Sequence, residues 1–506
     1  MVKEKYYKRP GDLRILLVYP NIQQALMVRY SIGLFTALLK REGFQVGLFD
    51  TSFYRERINK NQEYAQIALK KVDWAESSIR FKTTNMLDDW VNKVEEFDPD
   101  IIALSVAEGT YSVGRVMIRA LPDKYRKIPI LWGGVFATFG AEVIFRDNVG
   151  NFVCRGEGEH SLVEFCHRVC KGKSLYNIPG IWARKDGKII RNSLDPVPVD
   201  LDTLPFPDYS LFEEQAFYRP MQGEIRRVFP IETQRGCPFK CTFCNSPAKA
   251  SLYKNESDLR FYRKKSIRAV RDEIEHIQKK YGVDFIYMLT DTFLAMSDKE
   301  FDELVEMYSD FRIPFWMNTS PQTMTRYRAK GLEEMNLLRM NMGFQHGNTE
   351  FRKKILKRRS SEQSIVEGFE SCVGSNFTVA ADCMLGFPGE DRRLAFDTIE
   401  LFRKLPKIVE PTGGFIFAPF HGTELRQKAA EMGCYDKDLF CDFADQNSCM
   451  INQPQFPQKE VLGLVKTYIL YQTIPKSKWK WIEKAENNTE EGEHIFEQLV
   501  TELCEK

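Results

Sequence analysis

The first third of the chain alternates short apolar runs with amphipathic stretches. Residues 13–19 are apolar except for Arg14 and end at Pro20-Asn21, the pattern of a buried strand followed by a loop. Residues 33–40 carry apolar side chains at helical spacing and are followed by the stop Gly43. Residues 45–50, 100–106 and 129–134 read as further strands; Asp98-Pro99 breaks the chain before the second of these, and Gly133-Gly134 ends the last. Strands alternating with helices predict a parallel sheet whose ligand crevices lie outside the strand carboxyl ends. The loops there are Pro20-Asn21, 105–110 and 133–138. Their glycines and small hydroxyls let a bulky flat ligand approach the backbone.

A proline-rich stretch at 195–208 interrupts this pattern, as linkers do. The pattern then restarts, with strands at 228–233, 284–289, 314–318, 339–344, 378–384 and 414–418 separated by helices. The helix over 266–281 has Ser266 as its N-cap and Gly282 as its stop. Six strand–helix units predict a three-quarter barrel with its chemistry at the strand carboxyl ends. The fold class is therefore α/β, with a parallel sheet over residues 10–160, a linker over 161–222, a partial (β/α)6 barrel over 223–445 and a small, mostly helical region over 446–506.

Composition narrows the function. The chain has 506 residues, too many for one ordinary core. Lys+Arg number 72 against 70 Asp+Glu, a net charge of +2, which leaves no electrostatic footprint for nucleic acid. The basic run from Arg352 to Arg359 reads as a solvated helix face. Neither an export signal nor a membrane-length apolar run is expected, so the chain reads as cytoplasmic, in a reducing compartment. The tail 468–482 mixes aromatics with lysines. It reads as a C-terminal helix packed on the core, and it is also compatible with peripheral membrane contact.

The candidate chemistry centres on Cys237, Cys241 and Cys244, a C-x3-C-x2-C run. Three thiolates on a four-iron cluster leave one iron without a protein ligand, and an open iron can bind and reduce a substrate. Gly236 and Pro238 favour the tight loop that turns the thiols inward. A structural zinc site wants a fourth Cys or His, but no His lies between His167 and His276 and the next Cys is Cys372. A disulfide does not suit a reducing compartment. Cys166 and Cys170 sit at i, i+4 and read as core. Cys383 reads as a buried strand thiol, Cys434, Cys441 and Cys449 as a looser group, and His346 and His421 as hydrogen-bonded loop residues.

The cysteine spacing, with Phe243 just before the third Cys, resembles the radical S-adenosylmethionine (SAM) superfamily. The resemblance implies a [4Fe-4S] cluster on Cys237, Cys241 and Cys244 whose open iron chelates the amino and carboxylate groups of SAM. One electron then cleaves a carbon–sulfur bond and yields a 5′-deoxyadenosyl radical. It further implies that Phe243 packs near the adenine and that Asp291 accepts from the SAM amino group. Gln345 stands where many members carry a Glu that contacts the ribose or amino group. Gly386-Phe387-Pro388-Gly389-Glu390 matches the family's G-x-P-G-E turn along the adenine, and 417–423 resembles its P-x-P-G-T segment with His421 in place of a proline.

The strand–Gly-Gly–x-x-Ala-Thr element, followed by Arg155-Gly156-Glu157-Gly158-Glu159, is similar to the Rossmann-like cobalamin-binding domains fused to such enzymes. Pro20, Asn21, Ser105, Glu108, Gly133, Gly134, Ala137 and Thr138 are the cobalamin-side residues implied. None of the six His precedes His160, so this domain supplies no His beneath the cobalt. The implied reaction is methylation of an unactivated carbon in a small-molecule or lipid-like substrate, with an external one-electron reductant such as flavodoxin or ferredoxin. The alternative is cyclisation, rearrangement or carbon–carbon coupling without methyl transfer; a lower alternative, a metal-stabilised nucleic-acid-binding module, would need a basic stripe that the charge balance argues against. A methylthiotransferase is disfavoured because no Cys precedes Cys154. No catalytic side chain is singled out.

Overall fold

The computed structural model describes residues 8–22, 28–54, 79–196, 199–442 and 448–504. Strands β1 (Arg14–Tyr19), β2 (Gln45–Asp50), β3 (Ile101–Ser105), β4 (Ile130–Gly133), β5 (Phe152–Cys154), β6 (Ile181–Lys185) and β7 (Lys188–Ile190) make one sheet in the order β2-β1-β3-β4-β5-β6-β7. β1 to β5 run parallel. The order reverses between β1 and β3, and at such a switch point an open α/β sheet offers its crevice. β1 and β3 are buried along nearly their whole length, as strands covered by helices on both faces are.

The hairpin β6–β7 extends the sheet antiparallel to β5, so the stretch expected to be a linker from 161 contributes to the N-terminal unit. Ile181 and Ala183 face inward while Trp182 and Arg184 are partly exposed, the period-two pattern of a half-buried strand. Asp186 and Gly187 both adopt positive φ, the requirement of a type I′ hairpin turn. The rest of the expected linker is packed as well. Tyr209 is wholly buried against Phe217, Phe229 and Tyr281, and a Cβ on Gly33 would meet its ring at 2.6 Å. Val197 and Pro198 lie outside the described residues, as does the boundary expected between 445 and 446.

The second sheet begins with the hairpin β8 (Tyr218–Met221) and β9 (Glu224–Glu232). A two-stranded ribbon of β10 (Gln234–Arg235) and β11 (Arg263–Lys264) flanks the cluster loop in sequence. β12 (Phe285–Leu289), β13 (Phe315–Thr319), β14 (Leu337–Gln345) and β15 (Thr378–Leu385) then add in parallel, in sequence order, to β9. The short strands β16 (Val409–Glu410) and β17 (Phe415–Ile416) both pair with β15. The sheet path ends at β8 on one side and β16 on the other, which is the open barrel the pattern predicts. The helix Ile267–Tyr281 is capped as expected, by the Ser266 side chain and by Gly282 at φ 64°.

The C-terminal helices Gln458–Thr473, Trp479–Ala485 and Glu490–Cys504 close the barrel's outer side. Tyr468 and Tyr471 are buried, and Trp479 meets Tyr471 edge-to-face at 5.2 Å. Trp481 is exposed. Among the described residues no helix is long and apolar enough to cross a membrane.

Candidate active site

The cluster loop leaves β9 and β10 through Gly236 at φ 86°, where a Cβ would press on the Phe261 ring. Cys241 is buried, and Cys237 and Cys244 are half-buried. Each sulfur has a polar neighbour. Cys237 Sγ lies 3.3 Å from Thr292 Oγ1, Cys241 Sγ accepts from Arg358 Nη1 at 3.4 Å, and Cys244 Sγ accepts from the Ser246 amide at 3.4 Å. Burial pushes the Cys244 thiol up to about 12 and raises Cys237 too, and the nearby Asp291 carboxylate adds to both shifts. Free thiols here hold their protons; ligating iron removes them. Among the described residues no three Cys, His, Asp or Glu side chains close around a single ion. Three thiols tethered to one loop fit a cube of four irons, whose ligands sit farther apart than those of one ion.

On the SAM side the expected residues divide. Phe243 is half-buried with its ring 6.2 Å from Phe387. Asp291 is exposed just past β12. Gln345 ends β14 at φ 71° and folds its amide back over Gly343, where a Cβ would sit 2.1 Å away. Gly386 and Gly389 both take positive φ, as the sharp turn after β15 needs. Glu390 corrects the expectation of ligand contact. It is wholly buried, and Oε2 accepts from the Gly386 and Phe387 amides at 2.6 and 2.9 Å while Oε1 faces His346 Nε2 at 3.1 Å. His346 Nδ1 accepts from the Asn348 amide, so Nε2 carries the proton and donates to Glu390. Glu390 shapes the turn from within.

The N-terminal crevice divides the same way. Asn21 lies two residues past β1 and Ser105 ends the adjacent strand β3 at the switch point, and Pro20 is buried between strand and loop. The Asn21 amide donates to Thr51 Oγ1 and its Nδ2 to Ser52 Oγ, yet its buried Oδ1 has no partner. An unpaired buried acceptor at a crevice mouth fits a ligand that brings amide donors, as a corrin does. Four other expected contacts serve the fold instead. A Cβ on Gly134 would lie 2.4 Å from Val106 O, so this glycine lets the loops after β3 and β4 touch. Gly133 beside it continues that contact, its carbonyl accepting from the Val106 amide at 2.9 Å. Ala137 is wholly buried. Thr138 Oγ1 donates to Gly134 O and accepts from the Gly156 amide.

Glu108 is the clearest correction. Its carboxylate accepts from the His421 amide at 2.7 Å, from His421 Nδ1 at 2.7 Å and from the Cys441 amide at 2.9 Å. It therefore clasps the barrel's last loop and is not free to face a cofactor. Asn245, the residue after the third cysteine, donates from Nδ2 to His421 O at 2.7 Å. A continuous chain of hydrogen bonds thus joins the cluster loop to the crevice loop after β3.

The run Arg155–Glu159 makes a second bridge. Arg155 forms a bidentate pair with Glu256, and Glu157 and Glu159 both reach Arg235, at 2.7 and 2.8 Å. Neither Arg235 nor Arg358 is legible as functional from the sequence. The only signal was the unmatched carboxylate run, which demands cations once buried. The basic run 352–359 is corrected in part: Lys353, Lys354, Lys357 and Arg359 are exposed as a solvated face requires, but two arginines turn inward. Arg352 is wholly buried, and Lys357 at φ 52° turns the chain so that Arg358 enters the barrel mouth. Inside the barrel, Trp316 Nε1 donates to Asn341, Asn341 Nδ2 donates to Asp382, and Asn318 Nδ2 donates to Tyr287. These side chains are all partly exposed and link neighbouring strands of the second sheet.

Comparison with known proteins agrees with this geometry. Residues 36–166 match the B12 binding domain and residues 231–402 match the Radical SAM superfamily. The chain is 24% identical over 341 residues to an uncharacterised methyltransferase of Pyrococcus horikoshii, covering 66% of this chain and 70% of the relative. It is 28% identical over 272 residues to the anaerobic magnesium-protoporphyrin IX monomethyl ester cyclase of Rubrivivax gelatinosus, covering 50% of this chain and 46% of the cyclase. The radical SAM methyltransferase TsrM of Kitasatospora setae, solved with cobalamin and a [4Fe-4S] cluster, shares the fold at a TM-score of 0.60. It is 15% identical, over 97% of this chain and 100% of that one. The Radical SAM domain implies a [4Fe-4S] cluster and SAM, and the B12-binding domain implies cobalamin.

Proposed function

From a chain that joins a B12-binding domain to a radical SAM domain, we infer an enzyme that methylates an unactivated carbon of a small-molecule or lipid-like substrate. When bound, the cluster and SAM supply a hydrogen-abstracting radical and cobalamin supplies a transferable methyl group. The chain's own residues hold those groups around one cavity and keep water out. Cys237, Cys241 and Cys244 would ligate the cluster. Phe243, Asp291, Gln345 and the backbone of Gly386 and Gly389 would line the SAM site. Asn21 and Ser105 would meet the corrin edge.

The observation that carries this reading is the chain Asn245–His421–Glu108. It binds the cluster loop directly to the loop beyond β3, so a substrate over the barrel faces both cofactor crevices. A cytoplasmic setting and an external reductant of the flavodoxin or ferredoxin class complete the proposal. The cyclase relative favours a second reading, ring closure without methyl transfer.

Anaerobic reconstitution tests both. Incubation with SAM, dithionite and a cell extract is expected to release 5′-deoxyadenosine and S-adenosylhomocysteine together. Release of 5′-deoxyadenosine alone would favour ring closure. A colourless protein without iron or sulfide would refute both.

A further inference from the structure

The surroundings of Cys241 are positively charged in an unusual way. Arg358 donates from Nη1 to Cys241 Sγ at 3.4 Å, and its Nη2 is held by Ser320 Oγ at 3.0 Å and Gly343 O at 2.6 Å. Its Nε is buried without a partner. Arg352 is wholly buried beside it and donates to His346 O, Gly347 O, Ser360 O and Thr349 Oγ1. Every anchoring partner of the two guanidinium groups is a neutral oxygen. Burial, followed by the like charge of Arg358, lowers the Arg352 pKa to about 10. Glu362, the one carboxylate that opposes this shift, is itself paired with Lys404 at 2.5 Å.

A wholly buried guanidinium beside a half-buried one, neither paired with a carboxylate, is costly unless an anion answers them. The backbone is bent to keep one of them in place, because Lys357 sits in the left-handed region at φ 52° with no glycine to ease it. Among the described hydrogen-bond partners of Arg358, the one that can become an anion is the sulfur of Cys241.

We propose that Arg358, supported by Arg352, is a tuning residue that stabilises the reduced cluster on Cys237, Cys241 and Cys244. The inference rests on the cluster reading above. Reduction adds one electron, taken from an external donor of the flavodoxin or ferredoxin class, and no proton or bond change accompanies it. A fixed positive charge and an N–H···S hydrogen bond at one ligand both favour the more negative state and raise the reduction potential, since net charge and hydrogen bonds to sulfur set the potentials of such clusters. Arg358 acts through a ligand and not on substrate.

The test is a dithionite titration of the anaerobically reconstituted holoenzyme, without SAM, with the reduced cluster followed by electron paramagnetic resonance. R358Q is expected to move the midpoint to a more negative potential at unchanged iron content. R358K, which keeps the charge but loses the fork, should fall between R358Q and the wild type. S320A, which removes one anchor, should shift the same way by less. Equal midpoints for the wild type and R358Q would overturn the inference. If R358Q loads no iron, unshifted midpoints in both R358K and S320A would overturn it instead. A wild-type protein that binds no iron would refute the functional reading itself, a different failure.

Discussion

The Glu157 carboxylate lies 2.7 Å from the Arg235 guanidinium, joining the N-terminal sheet's last parallel loop to the segment that enters the cluster. Glu159 and Glu232 reach the same guanidinium at 2.8 and 3.0 Å, and Arg263 also grips Glu157. Arg235 stands two residues ahead of Cys237, so the cluster loop starts from a point fixed by both halves of the molecule.

Truncating that cation should be more damaging than truncating any one of its partners. R235M leaves the nearly buried Glu159 and Glu232 without their cation and Glu157 with Arg263 alone, and is expected to cost about 3–5 kcal/mol. E157Q leaves Arg235 two carboxylates and is expected to cost about 1–2 kcal/mol. Chemical denaturation of the two variants checks the order; equal losses would mean the cluster of charges contributes little.

Replacing Cys237, Cys241 or Cys244 singly by Ala is expected to abolish 5′-deoxyadenosine formation and most iron binding, while far-ultraviolet circular dichroism stays unchanged. The loop's backbone is held independently of the metal, through Thr242 to Ile355 and Leu356 and through Leu425 back to Thr242 O. A variant that still cleaves SAM at the wild-type rate would remove that cysteine from the ligand set.

The turn after β15 gives a separate prediction. E390A strips the acceptor from two buried amides and from His346 Nε2, a loss of about 3–5 kcal/mol by the cost of orphaned buried donors. E390Q keeps one acceptor and should lose less. Because Glu390 is sealed from solvent, its variants should weaken SAM binding through the altered turn. A drop in SAM affinity at unchanged stability would instead point to direct contact.

How much of this was legible in the sequence follows from how local each signal is. The cysteine triad, the Ser266 cap and the apolar strands are written in neighbouring residues, and they were readable. Glu108 and His421 are 313 positions apart, Arg358 and Cys241 are 117 apart, and Glu157 and Arg235 are 78 apart. No periodicity announces such pairings. Glu108 looked like a ligand contact because it follows a strand carboxyl end, where ligands bind. The fold fills that position with the barrel's own loop. The hairpin β6–β7 did carry a local signal, Asp186-Gly187, which was masked by the surrounding polar and proline-rich residues.

Asp382 predicts a pH dependence. Burial raises its carboxyl to about 6, against the pull of the Asn341 hydrogen bond and the Arg339 charge. The unfolded chain would release this proton near pH 4. Between about pH 4 and pH 6 the folded state therefore binds more protons than the unfolded one, so this residue's contribution makes stability fall as pH rises, by at most about 3 kcal/mol. D382N removes the penalty. Its stability relative to the wild type should improve across that window and level off above it. A difference that is flat from pH 4 to pH 7 would contradict the assignment.

The clasp at Glu108 can be broken without touching the cluster ligands. Arg426 can only donate, and its Nη2 lies 3.1 Å from His421 Nε2. Nε2 therefore accepts and Nδ1 carries the proton to Glu108. E108A leaves that N–H, the His421 amide and the Cys441 amide without an acceptor, and it also removes the carboxylate 3.8 Å from Arg426. The expected cost is about 3–5 kcal/mol, as for other buried networks that lose one charged partner. The loop 419–423 packs on the loop after β4, where a Cβ on Gly422 would strike the Phe139 ring and His421 meets Phe136 edge-on at 5.3 Å. Loss of the clasp should therefore loosen the cobalamin side while sparing the cluster. E108A is expected to retain iron after reconstitution but to lose cobalamin on gel filtration. Equal retention of cobalamin by E108A and the wild type would show that the two crevices hold their cofactors independently.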